Sequence, residues 1–274
     1  MQPGIFAKTF PGTDADSVLA QVAAAGFTCT QFNMACVGLP SMPEAISDAV
    51  AAGIAAAAQR HKVSIAAVSG TYNMIHPDPA VRARGLASLT AIIAAAPAMG
   101  SHLVTLCTGT RHAQDQWRHH ADNTTPQAWA DLLEEMGKAA AIADAHGVDL
   151  GIEPELANVV CDAASARRLI DELGSPRLRI VLDPANLFEV AAPDARRSIV
   201  ARAVDVLADR ISMAHAKDRA PDGGFATAGK GMVDFPHFLA CLRAAGFDGP
   251  LVAHGLAADE AAGAAAFLNR MLHG

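Results

Sequence analysis

Val148-Asp149-Leu150-Gly151-Ile152-Glu153-Pro154-Glu155-Leu156-Ala157-Asn158 runs from a short apolar stretch into two carboxylates and an amide. The apolar part reads as a buried strand over 149–153. Side chains two apart on a strand face the same way, so Glu153 and Glu155 are expected to project together. Two carboxylates so placed repel each other unless a cation or a proton lies between them.

Seven further apolar runs share this form, at 5–10, 28–33, 64–69, 102–107, 179–182, 211–215 and 250–254. The segments between them carry apolar residues at helical spacing, as in Leu86, Leu89, Ile92 and Ile93 or Ala166, Leu169, Ile170 and Leu173. Helix starts are marked by Ser41-Met42-Pro43-Glu44, which has capping-box form, by Thr125-Pro126 and by Asp234. Gly174-Ser175-Pro176 is a stop signal. Eight strands, each followed by a helix, define an α/β chain folded as a single (β/α)8 barrel over residues 1–274. A doubly wound open sheet shares the alternation, but no glycine fingerprint follows the first strand. A barrel gathers the polar residues at the C-terminal ends of its strands at one mouth, where catalytic groups belong.

Composition narrows the partners. The net charge of −7 comes without a Lys/Arg block, which argues against nucleic acid and anionic membrane and for a small molecule. Five scattered cysteines (Cys29, Cys36, Cys107, Cys161 and Cys241) lack zinc or disulfide spacing and fit a reducing cytoplasm. The first residues have no signal-peptide form, and the Ala-rich stretches are too interrupted to span a membrane.

Glu153, Asp183, His215 and His254 end the fifth to eighth predicted strands. Together they form a mixed O/N set suited to Mn²⁺, Co²⁺, Zn²⁺ or Mg²⁺. Singly, each reads equally as a cap, a surface acid or a core histidine. Around them, Lys8, His76, Arg111, Asn186 and Lys217 are the candidate substrate contacts. Arg111 opens a long loop with Trp117, Arg118, His119 and His120 and reads either as a contact to a substrate carboxylate or phosphate or as a surface ion pair, while His119 and His120 read as solvated. Lys217 can stabilise an oxyanion or pair with Glu155, and Lys8 can bind an anion or pair with a carboxylate. Gly229-Lys230-Gly231 offers either a phosphate cradle or a turn before the Asp234 cap.

Ile152-Glu153-Pro154-Glu155, Leu182-Asp183-Pro184-Ala185-Asn186, His215-Ala216-Lys217-Asp218 and Gly229-Lys230-Gly231-Met232-Val233-Asp234 resemble the sugar phosphate isomerase/epimerase family of xylose isomerase-like barrels. The resemblance implies a divalent metal, most often Mn²⁺, on Glu153, Asp183 and His215, a carbohydrate substrate, and frequent assembly into homo-oligomers. It also implies proton abstraction beside a carbonyl through an enediolate, with Glu153 as ligand and candidate base. Glu155, on the same face as Glu153, is a candidate acid/base partner or a solvated or ion-paired strand-end carboxylate. Two positions depart from the family pattern. His254 stands where a second metal-binding glutamate is usual, and is carried here as ligand or acid. Asn186 stands where many relatives have histidine. Three other readings share the barrel: a dehydratase acting through the same enediolate, an apurinic-endonuclease-like phosphodiesterase, and a sugar-binding barrel without turnover.

Overall fold

The computed structural model describes residues 1–273. The chain alternates β1 (Gln2–Phe6), α1 (Ala15–Ala24), β2 (Cys29–Phe32), α2 (Asp48–His61), β3 (Ser64–Ser69), α3 (Pro79–Ala95), β4 (Leu103–Leu106) and α4 (Pro126–His146). It continues with β5 (Asp149–Ile152), α5 (Ala163–Leu173), β6 (Leu178–Leu182), α6 (Pro193–Leu207), β7 (Ile211–Arg219), β8 (Phe225–Thr227), α7 (Phe235–Ala244), β9 (Pro250–Ala253) and α8 (Ala261–His273). Strands β1 to β7 and β9 pair in parallel, and β9 bonds both β1 and β7 while β6 bonds β7, so the sheet closes into the expected (β/α)8 barrel.

Helix boundaries follow local chemistry. Thr125 caps α4 by accepting from Ala128 N at 3.2 Å, ahead of Pro126 in the first turn. Asp234 caps α7 through His237 N at 3.0 Å, and Gly174 ends α5 at φ 61°. The Ser41-Met42-Pro43-Glu44 signal starts no helix. Helix α2 begins at Asp48, capped by Ser47 through Val50 N, while Ser41 Oγ instead donates to Asn33 Oδ1 at 3.0 Å.

The first strand lies earlier than expected, because barrel closure pairs Gln2 with Pro250; the chain then turns through a 3-10 segment over Ala7–Thr9 that carries Lys8. The seventh strand runs four residues longer than expected, since its far half pairs antiparallel with β8, a hairpin arm with no counterpart in the sequence reading. No helix among the described residues is long and apolar enough to cross a membrane.

The barrel interior alternates with the strand period. Ala67, Leu103, Val181, Met213 and Val252, from five strands, form a closed apolar cluster. Gly151 joins this level from β5, since a Cβ there would meet Val181 Cγ2 at 2.8 Å. Two residues further on, the same strands present Ser69, Thr105, Glu153, Asp183, His215 and His254. A dry floor therefore carries a polar layer at the C-terminal mouth.

On the opposite face of β7, the buried Asp218 carboxylate accepts backbone N–H groups from Arg219, Gly229, Gly231 and Val233 at 2.8 to 3.1 Å. The turn at 229–231 thus donates Gly229 N and Gly231 N to Asp218 and Lys230 N to Thr227 O at 2.9 Å, which leaves none for a phosphate, and the Lys230 side chain pairs with Glu260 at 2.7 Å. Hydrogen bonds to a charged group contribute roughly 1.5–3 kcal/mol each. Asp218→Ala is expected to destabilise the fold by at least about 3 kcal/mol in urea unfolding, and a loss under about 1 kcal/mol would contradict this role.

Candidate active site

Barrel closure brings one donor atom each of Glu153, Asp183 and His215 within 4.8 Å of one another. Their side chains are 12 %, 0 % and 1 % exposed, so the charges cannot be left to solvent. His215 Nε2 lies 2.8 Å from Gln31 Oε1, and Gln31 Nε2 in turn donates to Thr105 Oγ1 at 3.0 Å. The amide oxygen can only accept, so Nε2 carries a proton. His215 Nδ1 therefore faces Glu153 Oε1 at 3.1 Å and Asp183 Oδ2 at 3.7 Å, either as a second N–H donor or as a lone pair toward a cation.

Burial disfavours the imidazolium, but the Glu153 and Asp183 carboxylates outweigh it and raise the His215 pKa to about 9. Burial likewise disfavours the Glu153 and Asp183 carboxylates. His215 reverses this for Glu153, and Lys217 with His215 reverses it for Asp183, so both are held below the usual range. Lys217 Nζ sits 3.2 Å from Asp183 Oδ2 but is not aligned as a hydrogen bond, and this buried oxygen has no hydrogen-bond partner. Lys217 thus pairs with Asp183, and its own pKa is raised by the surrounding carboxylates against the effect of burial.

Two carboxylates, one of them with its buried Asp183 Oδ2 orphaned, and an imidazole nitrogen converge, and such a donor set fits a divalent cation. In the metal-free protein the imidazolium supplies the positive charge instead.

The expected pairing of Glu153 and Glu155 is realised through Asn186. Its Nδ2 donates to Glu153 Oε1 at 2.7 Å and to Glu155 Oε2 at 2.8 Å. Burial and the neighbouring Glu153 charge push the Glu155 pKa up to about 7. His254 lies outside the three-residue group. Its ring is stacked between Phe6 and His215, with centroids 5.1 and 5.0 Å away, and its Nδ1 is buried without a partner. Burial and the His215 charge lower its pKa to about 4, so it is a neutral imidazole.

A cavity of about 490 Å³ opens over this layer, lined by Glu153, Glu155, Lys217, His254, Lys8 and Gln31 together with Ser69, Thr71, Thr105 and Cys107. Three expected substrate contacts do not line it, and one of them, Asn186, is fully buried with its amide on Glu153 and Glu155. Arg111 donates to Asp131 Oδ2 at 2.6 Å and to Ile75 O at 3.0 Å, which ties the long loop after β4 to α4. His76 uses both ring nitrogens, on Ala113 O and Asp78 N, and borders a neighbouring cavity.

Gln31, Thr105 and Phe225 belong to the site but were not legible as such. The first two could be found as polar residues inside otherwise apolar strands. Phe225 sits on a hairpin arm too short to leave a pattern.

Fold and site together define a parallel β/α barrel with a carboxylate–imidazole centre at its C-terminal mouth. The model of the xylose isomerase-like TIM barrel family matches residues 19–271, and the chain belongs to that family. Among solved structures it is similar to 3-keto-D-glucoside 4-epimerase YcjR from E. coli, at 16 % identity and TM-score 0.77, covering 98 % of this chain and 99 % of that one. It is similar to an L-ribulose 3-epimerase at 20 % identity and TM-score 0.78, covering 99 % and 94 %. D-Psicose 3-epimerase from Clostridium cellulolyticum H10 matches at 18 % identity and TM-score 0.68, covering 92 % and 84 %. No curated protein matches the chain by sequence.

Because the folded pKa of His215 is raised from 6.5 to about 9, its stabilisation is complete below pH 6.5 and is lost as pH rises through about 9. NMR titration of metal-free protein should place the His215 midpoint near 9, and a midpoint at or below 6.5 would contradict the carboxylate cage.

Proposed function

We propose that this protein is a divalent-metal-dependent isomerase or epimerase of a small sugar, keto-sugar or sugar acid, working by proton transfer beside a carbonyl. The observation that carries this reading is the convergence of Glu153, Asp183 and His215 at the barrel mouth, with Glu155 held alongside and both glutamates lining the cavity above. These three residues would hold the metal, with Mn²⁺ the first candidate and Mg²⁺, Co²⁺ or Zn²⁺ the others. Bound there, a divalent cation supplies Lewis acidity to a substrate carbonyl and so acidifies the adjacent C–H.

The protein's own groups move and hold the proton. Glu155 is an acid/base group whose pKa of about 7 suits exchange near neutral pH. Asn186 fixes its orientation by anchoring Oε2, which keeps the carboxylate at a set position relative to Glu153. Lys217 places an ammonium beside the same carboxylates, where it stabilises negative charge developing on substrate oxygen. Lys8, at the cavity wall, is available to an anionic substituent. The chain acts as one (β/α)8 unit on a carbohydrate in a reducing cytoplasm, in keeping with five free cysteines and the acidic balance.

His254 favours one second reading. With a neutral imidazole in place of a second carboxylate, the site lacks the usual second proton-transfer carboxylate, and Glu155, partly protonated near pH 7, is the acid available to a departing hydroxyl, which gives a dehydratase. A phosphodiesterase needs more metal ligands than the single three-residue group found among the described residues.

Metal analysis, followed by incubation with ketoses, aldoses and keto acids in D₂O, tests the reading. A bound divalent ion and solvent deuterium at the carbon beside the carbonyl are expected, whereas a dehydrated product decides for the lyase. Activity that survives full chelation, with Glu153→Gln matching wild type, overturns both. Glu155→Gln should lower turnover by about 10²–10⁴ with the fold intact, and unchanged turnover returns Glu155 to the scaffold.

A further inference from the structure

Among the described residues, the large apolar side chains left exposed are Trp117, Val190, Val206 and Phe225. Two of them, Trp117 at 53 % and Phe225 at 50 %, line the cavity over the carboxylate–imidazole centre. They come from separate elements: Trp117 from the loop after β4, Phe225 from the β8 arm that follows β7. These barrel strands lie three apart in chain order, so the two aromatic residues approach the mouth from different sides.

The Phe225 ring is held in place, and the backbone that carries Trp117 is anchored. Phe225 pairs in register with Arg219, and its ring has Arg219 Cζ at 4.0 Å and Lys217 Nζ at 3.9 Å from its centroid. Trp117 N donates to Asp115 Oδ1 at 2.9 Å, and Asp115 N donates to His112 Nδ1 at 3.1 Å. The root of that loop is fastened by the Arg111–Asp131 pair. Groups fixed before a ligand arrives bind it at lower entropic cost.

The inner wall is polar and answers the hydroxyl groups of one sugar ring through Gln31, Thr105, Glu155, Lys217 and His254. Above it, the half-exposed Trp117 side chain borders the cavity, and Phe225, with Lys217 and Arg219 against its ring, leaves half of its surface open beside it. Aromatic side chains offer a broad apolar face, and a polar monosaccharide resting on the floor leaves those faces wet. The cavity, about 490 Å³, falls within the roughly 300–1,000 Å³ range of sites that enclose drug-sized ligands.

We propose that the substrate is a glycoside: one sugar ring occupies the polar floor, and a second ring attached to it lies against Trp117 and Phe225. This deepens, and rests on, the sugar isomerase/epimerase reading for the inner position. The outer position selects a flat apolar ring face, which either a second pyranose or an aromatic aglycone presents.

The test reads binding, independently of turnover. The chain has two tryptophans, Trp117 and Trp129. Trp129 lies on α4, bonded to Glu172 and covered by Arg168, so Trp129→Phe leaves Trp117 as sole fluorophore. The metal-loaded variant is titrated with methyl β-D-glucopyranoside, phenyl β-D-glucopyranoside and cellobiose, and with methyl β-D-galactopyranoside, phenyl β-D-galactopyranoside and lactose. Acrylamide quenching and calorimetry are recorded for each.

In at least one series, the two-ring ligands are expected to shield Trp117 and to bind about tenfold tighter than the methyl glycoside, the order one stacked ring contributes. Phenyl alone or disaccharide alone showing the effect identifies which ring the site takes. Trp117→Ala and Phe225→Ala are each expected to collapse that tenfold ratio. Equal quenching with every ligand, no binding by any glycoside, or a ratio unchanged in both variants overturns the proposal. Shielding of Trp117 without deuterium exchange would sustain the outer position and count against the isomerase reading alone.

Discussion

Two buried carboxylates at one barrel mouth need positive charge between them, and the site is built to meet that need. Glu153 and Asp183 both face His215 Nδ1, while the far side of the ring is pinned through Gln31 on β2 to Thr105 on β4. Lys217 adds a second cation against Asp183. Taking any one charge away would leave its neighbours buried and uncompensated, which costs far more than a surface pair contributes. This mutual dependence holds the strand ends in register at the level where a metal would sit.

Strand geometry converts that local need into a layered interior. Side chains alternate inward and outward, and the inward positions step from apolar to polar at one height on several strands. Ala67 precedes Ser69, Leu103 precedes Thr105, and Gly151, Val181, Met213 and Val252 precede Glu153, Asp183, His215 and His254. The apolar level excludes water from below and lowers the local dielectric, which strengthens each charge interaction above it. Asn186 extends the order beyond the strands by tying Glu155, already on the following loop, to Glu153.

The barrel and the centre of its site were legible because both follow from short periods. Eight apolar runs alternating with helical stripes specify parallel strands, and the polar residue ending each run marks the mouth. The long-range choices were not legible. Whether Arg111 meets a substrate or Asp131 depends on where α4 packs, and nothing in the residues around Arg111 encodes that. Gly229-Lys230-Gly231 has the composition of an anion cradle, but its two glycine donors are claimed by Asp218, eleven residues upstream of Gly229. Ser41-Met42-Pro43-Glu44 has the letters of a helix start, yet Ser41 is drawn to Asn33 at the end of β2. The partner of His215 likewise lies 184 residues away.

Strand β7 divides two jobs between its faces. His215, Lys217 and Arg219 lie on the site side, while Asp218 on the other side gathers the backbone of the following turn. The hairpin tip at Pro221-Asp222-Gly223 hangs beyond both and touches neither the apolar floor nor the metal-type ligands. Sequence drift on this arm, which reaches the cavity only through Phe225, can reshape the entrance while the chemistry beneath stays fixed. A lineage carrying this barrel is thus free to change what it accepts without re-inventing what it does.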